Sequence, residues 1–535
     1  MKKFIRIFIV ALIALLCGYI YYYISLPAIN IHSPGLWWFI LGGLFILTVV
    51  VALATANYDN NGKNRNNKYF KNNLFKITIS ITGIVLVIYV VGSILSSPII
   101  NAKKYQSILQ ITDRNFTDDI KEISYNEIPI LDKDSANLLG SRKMGSMVEY
   151  VSQFEVAPNY TQINYKGVPT RVTPLEYGSS IKWLTNRSKG IPAYMQINMT
   201  TQEVSLVKLE KGIRYSESEH FGRNIYRYIR FKYPTYIFDS LSFEINDDGV
   251  PFWICPVKDY TIGLFGGQTI GKVVIVNAVT GEHEDYDIDE VPLWVDRVYS
   301  AELLIQLYDY SGTLKHGYLN SIFSQKDALQ TTDGYNYIAL EDDVWVYTGV
   351  TSVGGDESNV GFVLMNQRTA ETRYYSISGA EEYSAMASAE GIVQHLGYTA
   401  TFPLLLNIGG QPTYFMALKD AAGLVKQYAM VNIEQYQIVA IGDTILECEK
   451  SYLSKTSNLR DNENTSILSV TGNITKIAEA VIDGNSYYYI LLDNSEEIFA
   501  LKVVDFLPII KYSVGDSITL NYKQTGSTNS VISIE

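Results

Sequence analysis

Val273-Val-Ile-Val-Asn277-Ala-Val-Thr280-Gly-Glu282 carries the pattern from which this chain is built. A strand-like run ends in Asn, with Thr three residues on and Glu five residues on. The spacing recurs in Asn198-Met-Thr-Thr201-Gln-Glu203, Asn366-Gln-Arg-Thr369-Ala-Glu371 and Asn432-Ile-Glu-Gln435-Tyr-Gln437, where Gln fills both positions of the last copy. The four asparagines lie 79, 89 and 66 residues apart. Self-similarity at such periods marks one supersecondary unit repeated in tandem. Asn tolerates the left-handed region and bonds its own backbone, so each copy reads as a strand running into a turn.

The similarity extends upstream. Gly167-Val-Pro-Thr-Arg-Val-Thr-Pro-Leu175 aligns with Gly249-Val-Pro-Phe-Trp-Ile-Cys-Pro-Val257, and Gly410-Gln411-Pro412-Thr413-Tyr414-Phe415 repeats the Gly-x-Pro start. Gly334-Tyr-Asn-Tyr337 stands in for it in the third copy, and is the weakest match. Each unit therefore reads as strand, loop, strand, rich in Val, Ile, Tyr, Phe and Trp. Helix-prone stretches precede the hairpins at Ser135–Phe154, Phe221–Phe231, Ala301–Tyr308 and Ala380–Val393. One helix and one hairpin bury little surface alone, so adjacent units are expected to pack into a continuous body.

Asp247-Asp248-Gly249-Val250-Pro251-Phe252-Trp253, followed by Val273–Asn277 and Thr280-Gly281-Glu282, resembles the PepSY module. That module pairs a helix with an antiparallel hairpin whose last strand runs into a similar Asp-Ala-x-Thr-Gly-Glu, and Asn277 replaces its Asp. The resemblance covers 135–442. It implies a binding or scaffolding role in the cell envelope and brings no catalytic residue with it.

Ahead of the repeats lie three uncharged apolar runs, Ile7–Ile24, Leu36–Ala56 and Ile77–Leu95, of 18, 21 and 19 residues. A bilayer core needs about 20 apolar residues in a helix, so three transmembrane spans are expected. The first also has the form of a signal peptide, but no cleavage site is evident after Ile24. Lys2, Lys3 and Arg6, with Lys63, Arg65, Lys68, Lys71 and Lys76 in the second loop, place the N-terminus and that loop in the cytoplasm. Everything from about residue 98 onward is then extracytoplasmic.

Charge divides at the same point. Residues 1–100 sum to +7 and the remainder to −19. So acidic a body repels nucleic acid. Only three cysteines occur, too few for a disulfide-built scaffold. Cys255 and Cys448 lie outside the spans, and a bridge between them stays open.

The last seventy residues read as five strands: Ile467–Ile477, Ser486–Leu492, Glu497–Val504, Ser517–Tyr522 and Ser530–Ile534. They resemble a small OB-like barrel.

Chemical motifs are sparse. Gly266-Gly-Gln-Thr-Ile-Gly271-Lys272 has Walker A spacing, but Val273 stands where Ser or Thr should hold magnesium and a strand follows where a helix is required. His32, His220, His283, His316 and His395 show no metal-ligand spacing. The acidic residues Glu341, Asp342, Asp343, Asp356 and Glu357 are the candidates for a small oxygen-ligand site. Asp342, Asp343, Asp356 and Glu357 are only weak calcium candidates, since they lack EF-hand spacing, and a solvated rim is the plainer reading. No cofactor is implied.

The expected fold is α+β: three N-terminal transmembrane helices (1–97), a connector (98–134), four repeats of antiparallel sheet and helix (135–215, 216–295, 296–378 and 379–445), a linker (446–465) and a small C-terminal β-barrel (466–535). The expected function is that of a non-enzymatic bacterial membrane protein binding a protein partner in the envelope, such as a protease or cell-wall machinery, with glycan as an alternative ligand. Two other readings stay open. One is a hydrolase of cell-wall glycan or peptide using non-local carboxylates near Asp343 and Asp356. The other is a sensor acting through a membrane partner.

Overall fold

The computed structural model describes residues 16–55, 73–122, 128–354, 358–460, 468–482, 485–503, 506–523 and 529–534. The chain forms two compact units, Met1–Glu449 and Lys450–Glu535.

In the first unit one element order appears four times: a helix, a short strand, a long hairpin, and a further strand after the Asn turn. The helices are Lys133–Gly145, Ile225–Lys232, Ala301–Thr313 and Glu382–Ile392. Ala301–Thr313 shows why they form. Ser300 caps it by accepting from the Leu303 N–H at 3.4 Å, and Ala301, Leu304 and Tyr308 fall on one buried face. The second sheet shows the strand order best: Ser242–Ile245, Pro251–Ile262, Gly266–Asn277 and His283–Asp287 lie side by side, all antiparallel.

Asn277 closes this meander through its side chain. Its Oδ1 accepts from the N–H of Val279 and of Thr280, both at 2.9 Å, while the Thr280 Oγ1 accepts from the Glu282 N–H at 3.2 Å. Asn198 with Thr201 and Asn366 with Thr369 repeat these bonds. The left-handed residue of the turn is not the Asn but the fourth residue after it: Gln202, Gly281 and Ala370 have φ of 59°, 80° and 61°.

The third repeat needs a change of register. Its hairpin turn is Glu341-Asp342, both at positive φ, joining Asn336–Leu340 to Asp343–Ser352. Asp342 thus takes the place of Gly167, Gly249 and Gly410, and Gly334 lies one strand earlier. Short polar side chains tolerate the left-handed conformation well enough to replace Gly there.

Sheets share cores in succession. Val172 and Tyr194 of the first sheet pack with Phe243, Trp253, Cys255 and Val274 of the second. Ile254, Val273 and Ile275, on the other face of the second sheet, pack with Leu304, Val346 and Val363 of the third repeat. The second sheet is covered on both faces, which explains its unbroken Val-Val-Ile-Val run. Each aliphatic side chain fully buried in this way stabilises by about 1.5–3 kcal/mol.

The connector is more ordered than its polar sequence suggests. Ile111–Arg114 adds a parallel strand to Thr372–Tyr375, and the Tyr375 hydroxyl donates to Asp119 at 2.9 Å. Cys255 and Cys448 are both buried, and no disulfide joins them.

Two helices, Pro34–Thr55 and Asn73–Leu95, are long and apolar enough to cross a membrane. The first half of the first expected span, 7–15, lies outside the described residues, and 16–25 is helical. The hairpin tip of the second sheet seats on these helices. Ser96 Oγ accepts from the N–H of Leu264 at 2.8 Å and of Phe265 at 3.2 Å, and His32 Nδ1 bonds the Leu264 carbonyl at 2.9 Å. Phe265 meets Tyr89 and Trp37, with ring centres 5.1 and 6.1 Å apart. Gly92 lets the tip approach: a Cβ there would come within 2.6 Å of Leu264 Cδ1. On the neighbouring helix, Arg230 Nε donates to the Leu26 carbonyl at 3.0 Å.

In the second unit, Leu468–Ile482, Asn485–Leu492, Phe499–Lys502, Ser517–Lys523 and Asn529–Ile534 close a five-stranded barrel. Numbered along the chain, the strand order is 1-2-3-5-4, and the third and fifth run parallel. Ile474, Ile490, Phe499, Leu501 and Leu520 fill it.

Candidate functional site

The described acidic candidates, Glu341, Asp342 and Asp343, do not form an open oxygen cage. Asp343 is buried, and its carboxylate is held by Arg368 Nε and Nη2, both at 2.7 Å, and by Asn366 Nδ2 at 2.7 Å. Asp342 Oδ1 accepts from Asn164 Nδ2 at 2.9 Å. Glu341 is paired with Arg373 Nη2 at 2.7 Å, and the guanidinium draws its carboxyl below the ordinary value. Asp356 and Glu357 lie outside the described residues. Among the described residues no cluster of three or more His, Cys, Asp or Glu has metal-binding geometry. The glycine-rich run Gly266–Lys272 belongs to a strand, and Lys272 pairs with Asp287 at 2.9 Å, which excludes a phosphate loop.

A different set of residues converges on a cavity of about 360 Å³ bordered by the first and third repeats, the end of the connector and Phe402 of the fourth repeat. Its deep side is formed by Gln162 from Thr161–Tyr165, Arg171 from Val168–Tyr177, and Tyr160. Lys133, Asp134, Arg297 and Glu302 lie around it, with Tyr335, Tyr337 and Phe402 as aromatic walls.

The hydrogen bonding of the deep side is incomplete. Gln162 is 6% exposed, and neither its Oε1 nor its Nε2 has a partner among the described residues. Tyr160 is also 6% exposed, and its hydroxyl has no partner among the described residues. Arg171 is 5% exposed; its Nε reaches the Leu131 carbonyl at 3.4 Å, and no carboxylate pairs with it among the described residues. Burial weighs against the guanidinium charge, while Tyr337, Asp132 and Asp134 offset part of that. Arginine does not lose its proton in a protein, so this charge persists. The nearby acids are already engaged or exposed. Asp132 caps a helix at the Ser135 N–H and pairs with Lys419 at 2.5 Å; burial opposes its charge, but those two partners outweigh it and hold its carboxyl low. Glu302 accepts from the Tyr335 hydroxyl at 2.8 Å, and Asp134 is exposed.

Beneath Arg297 sits a second unusual group. Glu244 is fully buried and accepts from Ser242 Oγ at 3.1 Å and from the N–H of Asp296 at 2.9 Å and of Arg297 at 3.1 Å. Burial outweighs those bonds and pushes its carboxyl up to about 7. Asp296 is raised too, first by burial and then by the charge of Glu244.

The residue types of this cavity show in the sequence only by contrast between repeats. Arg171 pairs across the hairpin with Gln162. The same register position holds Trp253 with Phe243, Val346 with Tyr337, and Tyr414 with Leu405. A guanidinium and an amide thus occupy, in the first repeat alone, a position that three repeats fill with apolar or aromatic side chains. Sequence reasoning aligns Arg171 with Trp253 but has no means to find Gln162 beside it, because the preceding strands share no motif.

No family model and no curated protein matches this chain. Among solved structures, a Trypanosoma rangeli sialidase in complex with 2,3-difluorosialic acid aligns at 8% identity with a TM-score of 0.16, covering 71% of this chain and 53% of that one. The sialidase in complex with 2,3-difluoro-KDN aligns at 7% identity with a TM-score of 0.14. The chain spans about half the length of these enzymes, and similarity at that level carries no argument about fold or activity. The fold defines a class: a mixed α+β chain bearing membrane-length apolar helices, successive helix-and-sheet units and a small closed barrel.

Proposed function

We propose that this is a non-enzymatic, membrane-anchored cell-envelope protein whose extracytoplasmic repeats bind or scaffold a protein partner. The observation that carries this reading is the seating of the second sheet on the apolar helices through Ser96, His32 and Phe265. A body fixed to its anchor by hydrogen bonds presents its other faces at a set height and angle, as a scaffold must. The recurring helix and antiparallel meander support a PepSY-like reading of the four units, and the barrel's 1-2-3-5-4 order supports an OB-like one. With three spans and a cytoplasmic N-terminus, residues from about 98 onward face outward. The hydrolase alternative loses one of its acids, since Asp343 is committed to Arg368 and Asn366.

The test is crosslinking in the cells that make the protein, followed by purification in detergent and mass spectrometry. One envelope protein recovered at near-equal amount is the expected result. Hydrolysis of isolated cell wall by the purified chain, with no stoichiometric partner, would overturn the proposal.

The same contact favours a second reading, as a sensor. A rearrangement of the second sheet would pass directly to the helices through Leu264 and Ser96. Exchange of the helices for an unrelated anchor separates the two: a scaffold keeps its function and a sensor loses it.

A further inference from the structure

We infer that the cavity lined by Gln162, Arg171 and Tyr160 is a binding site for a small organic carboxylate. Four observations converge on it. Arg171 is a buried charge with no carboxylate partner among the described residues, a state that is costly unless a counter-charge arrives from elsewhere. Gln162 leaves a donor and an acceptor unused beside it, at more than nine-tenths burial. The Tyr160 hydroxyl is equally buried and equally unpartnered. Finally, the other three repeats place Phe243 with Trp253, Tyr337 with Val346, and Leu405 with Tyr414 at the same register, so the fold itself does not require polar groups there.

The chemistry of these groups selects the ligand. A guanidinium is a planar fork that matches the two oxygens of a carboxylate. The Gln162 amide suits a hydroxyl or amide on the adjoining carbon, able both to donate and to accept. Tyr335, Tyr337 and Phe402 provide flat apolar faces for the body of the molecule. The volume equals that of about a dozen water molecules, which fits a single ring bearing a carboxylate and is generous for a bare inorganic anion. Lys133 and Arg297 add positive charge around the cavity, and the acids there are engaged or turned to solvent.

This site is independent of the protein partner proposed above, because its readout is ligand binding by the purified chain rather than complex formation in cells. The full chain in lipid nanodiscs is titrated with D-glucuronate and with benzoate, and with glucose and inorganic phosphate as comparators, by thermal unfolding and calorimetry. At least one acid is expected to raise the unfolding midpoint by several degrees at millimolar concentration, with glucose inert and phosphate weaker than that acid. Arg171→Met should abolish the shift while leaving the unliganded midpoint unchanged or higher, since it removes an unpaired buried charge. A purely structural role for Arg171 would instead lower that midpoint. Should Arg171→Met fail to fold, Gln162→Leu decides: it is expected to weaken binding about tenfold with the unliganded midpoint retained. Absence of any shift with both acids, a shift with phosphate as large as with the acids, or an undiminished shift in the folded variant would overturn the assignment.

Discussion

Asp343 and Arg368 show how a residue's neighbours settle its role. In sequence Asp343 belongs to an acidic run, but in the fold its carboxylate is buried and bidentate to a guanidinium. Arg368→Met should therefore cost about 3 kcal/mol in thermal or denaturant unfolding, because it strands a buried charge. The double variant Arg368→Met, Asp343→Asn should recover most of that loss. Glu244 gives a pH signature of opposite sign to an ion-paired acid. Its carboxyl stands above its ordinary value of 4.5, at about 7, so the native state binds the extra proton between those limits. Its contribution to stability is present at low pH and is lost as pH rises through about 4.5 to 7. Glu244→Gln should flatten the fall of the unfolding midpoint across that window; an unchanged slope would show that Glu244 does not titrate there. The acidic run is legible in the sequence as charge, and its ion pairs are not. Arg368 and Arg373 reach it only because the strand Gly361–Asn366 lies beside Asp343–Ser352.

At the scale of an element, the Asn turn is the most legible feature and the most directly testable. Asn277 Oδ1 accepts two backbone N–H groups at 2.9 Å, so Asn277→Ala should cost about 1–2 kcal/mol. Ala370 sits at φ 61°, where a side chain is disfavoured, and Ala370→Gly should stabilise by roughly 1 kcal/mol in the same assay. Gly281 at φ 80° is its contrast: a Cβ there would come within 2.4 Å of the Tyr215 ring, so Gly281→Ala should destabilise. The pattern itself is readable because the turn's bonds are local, running between residues at most five apart. The third repeat's register is not readable, since Glu341-Asp342 replaces glycine by conformation rather than by identity. The hairpin tip at Leu264 belongs to this scale as well. Gly92→Val should lift it from its helix, and faster proteolysis near Gly263 in nanodiscs is the expected sign.

For the whole molecule, two compact units imply two cooperative transitions. Calorimetry should resolve a larger event for the repeats and a smaller one for the barrel, and deletion of 466–535 should remove only the smaller. A single transition that shifts as a whole on this deletion would contradict the division. Within the first unit, shared cores between successive sheets make the repeats interdependent. A core change in the second sheet, such as Ile254→Ala, should lower the whole of the larger transition rather than split it.

The sequence by itself determined the repeat, the Asn turn, the two described membrane-length helices and the five barrel strands. Each of these is written in spacings of a few residues or in a continuous apolar run, where backbone geometry acts locally. Only the tertiary structure decided which acids are paired, that the connector supplies a strand to the third repeat, that the hairpin tip rests on the apolar helices, and that Gln162, Arg171 and Tyr160 meet Tyr337 around one cavity. Those facts depend on residues far apart in the chain, and the free energy that joins them comes from burial against partners no local pattern names.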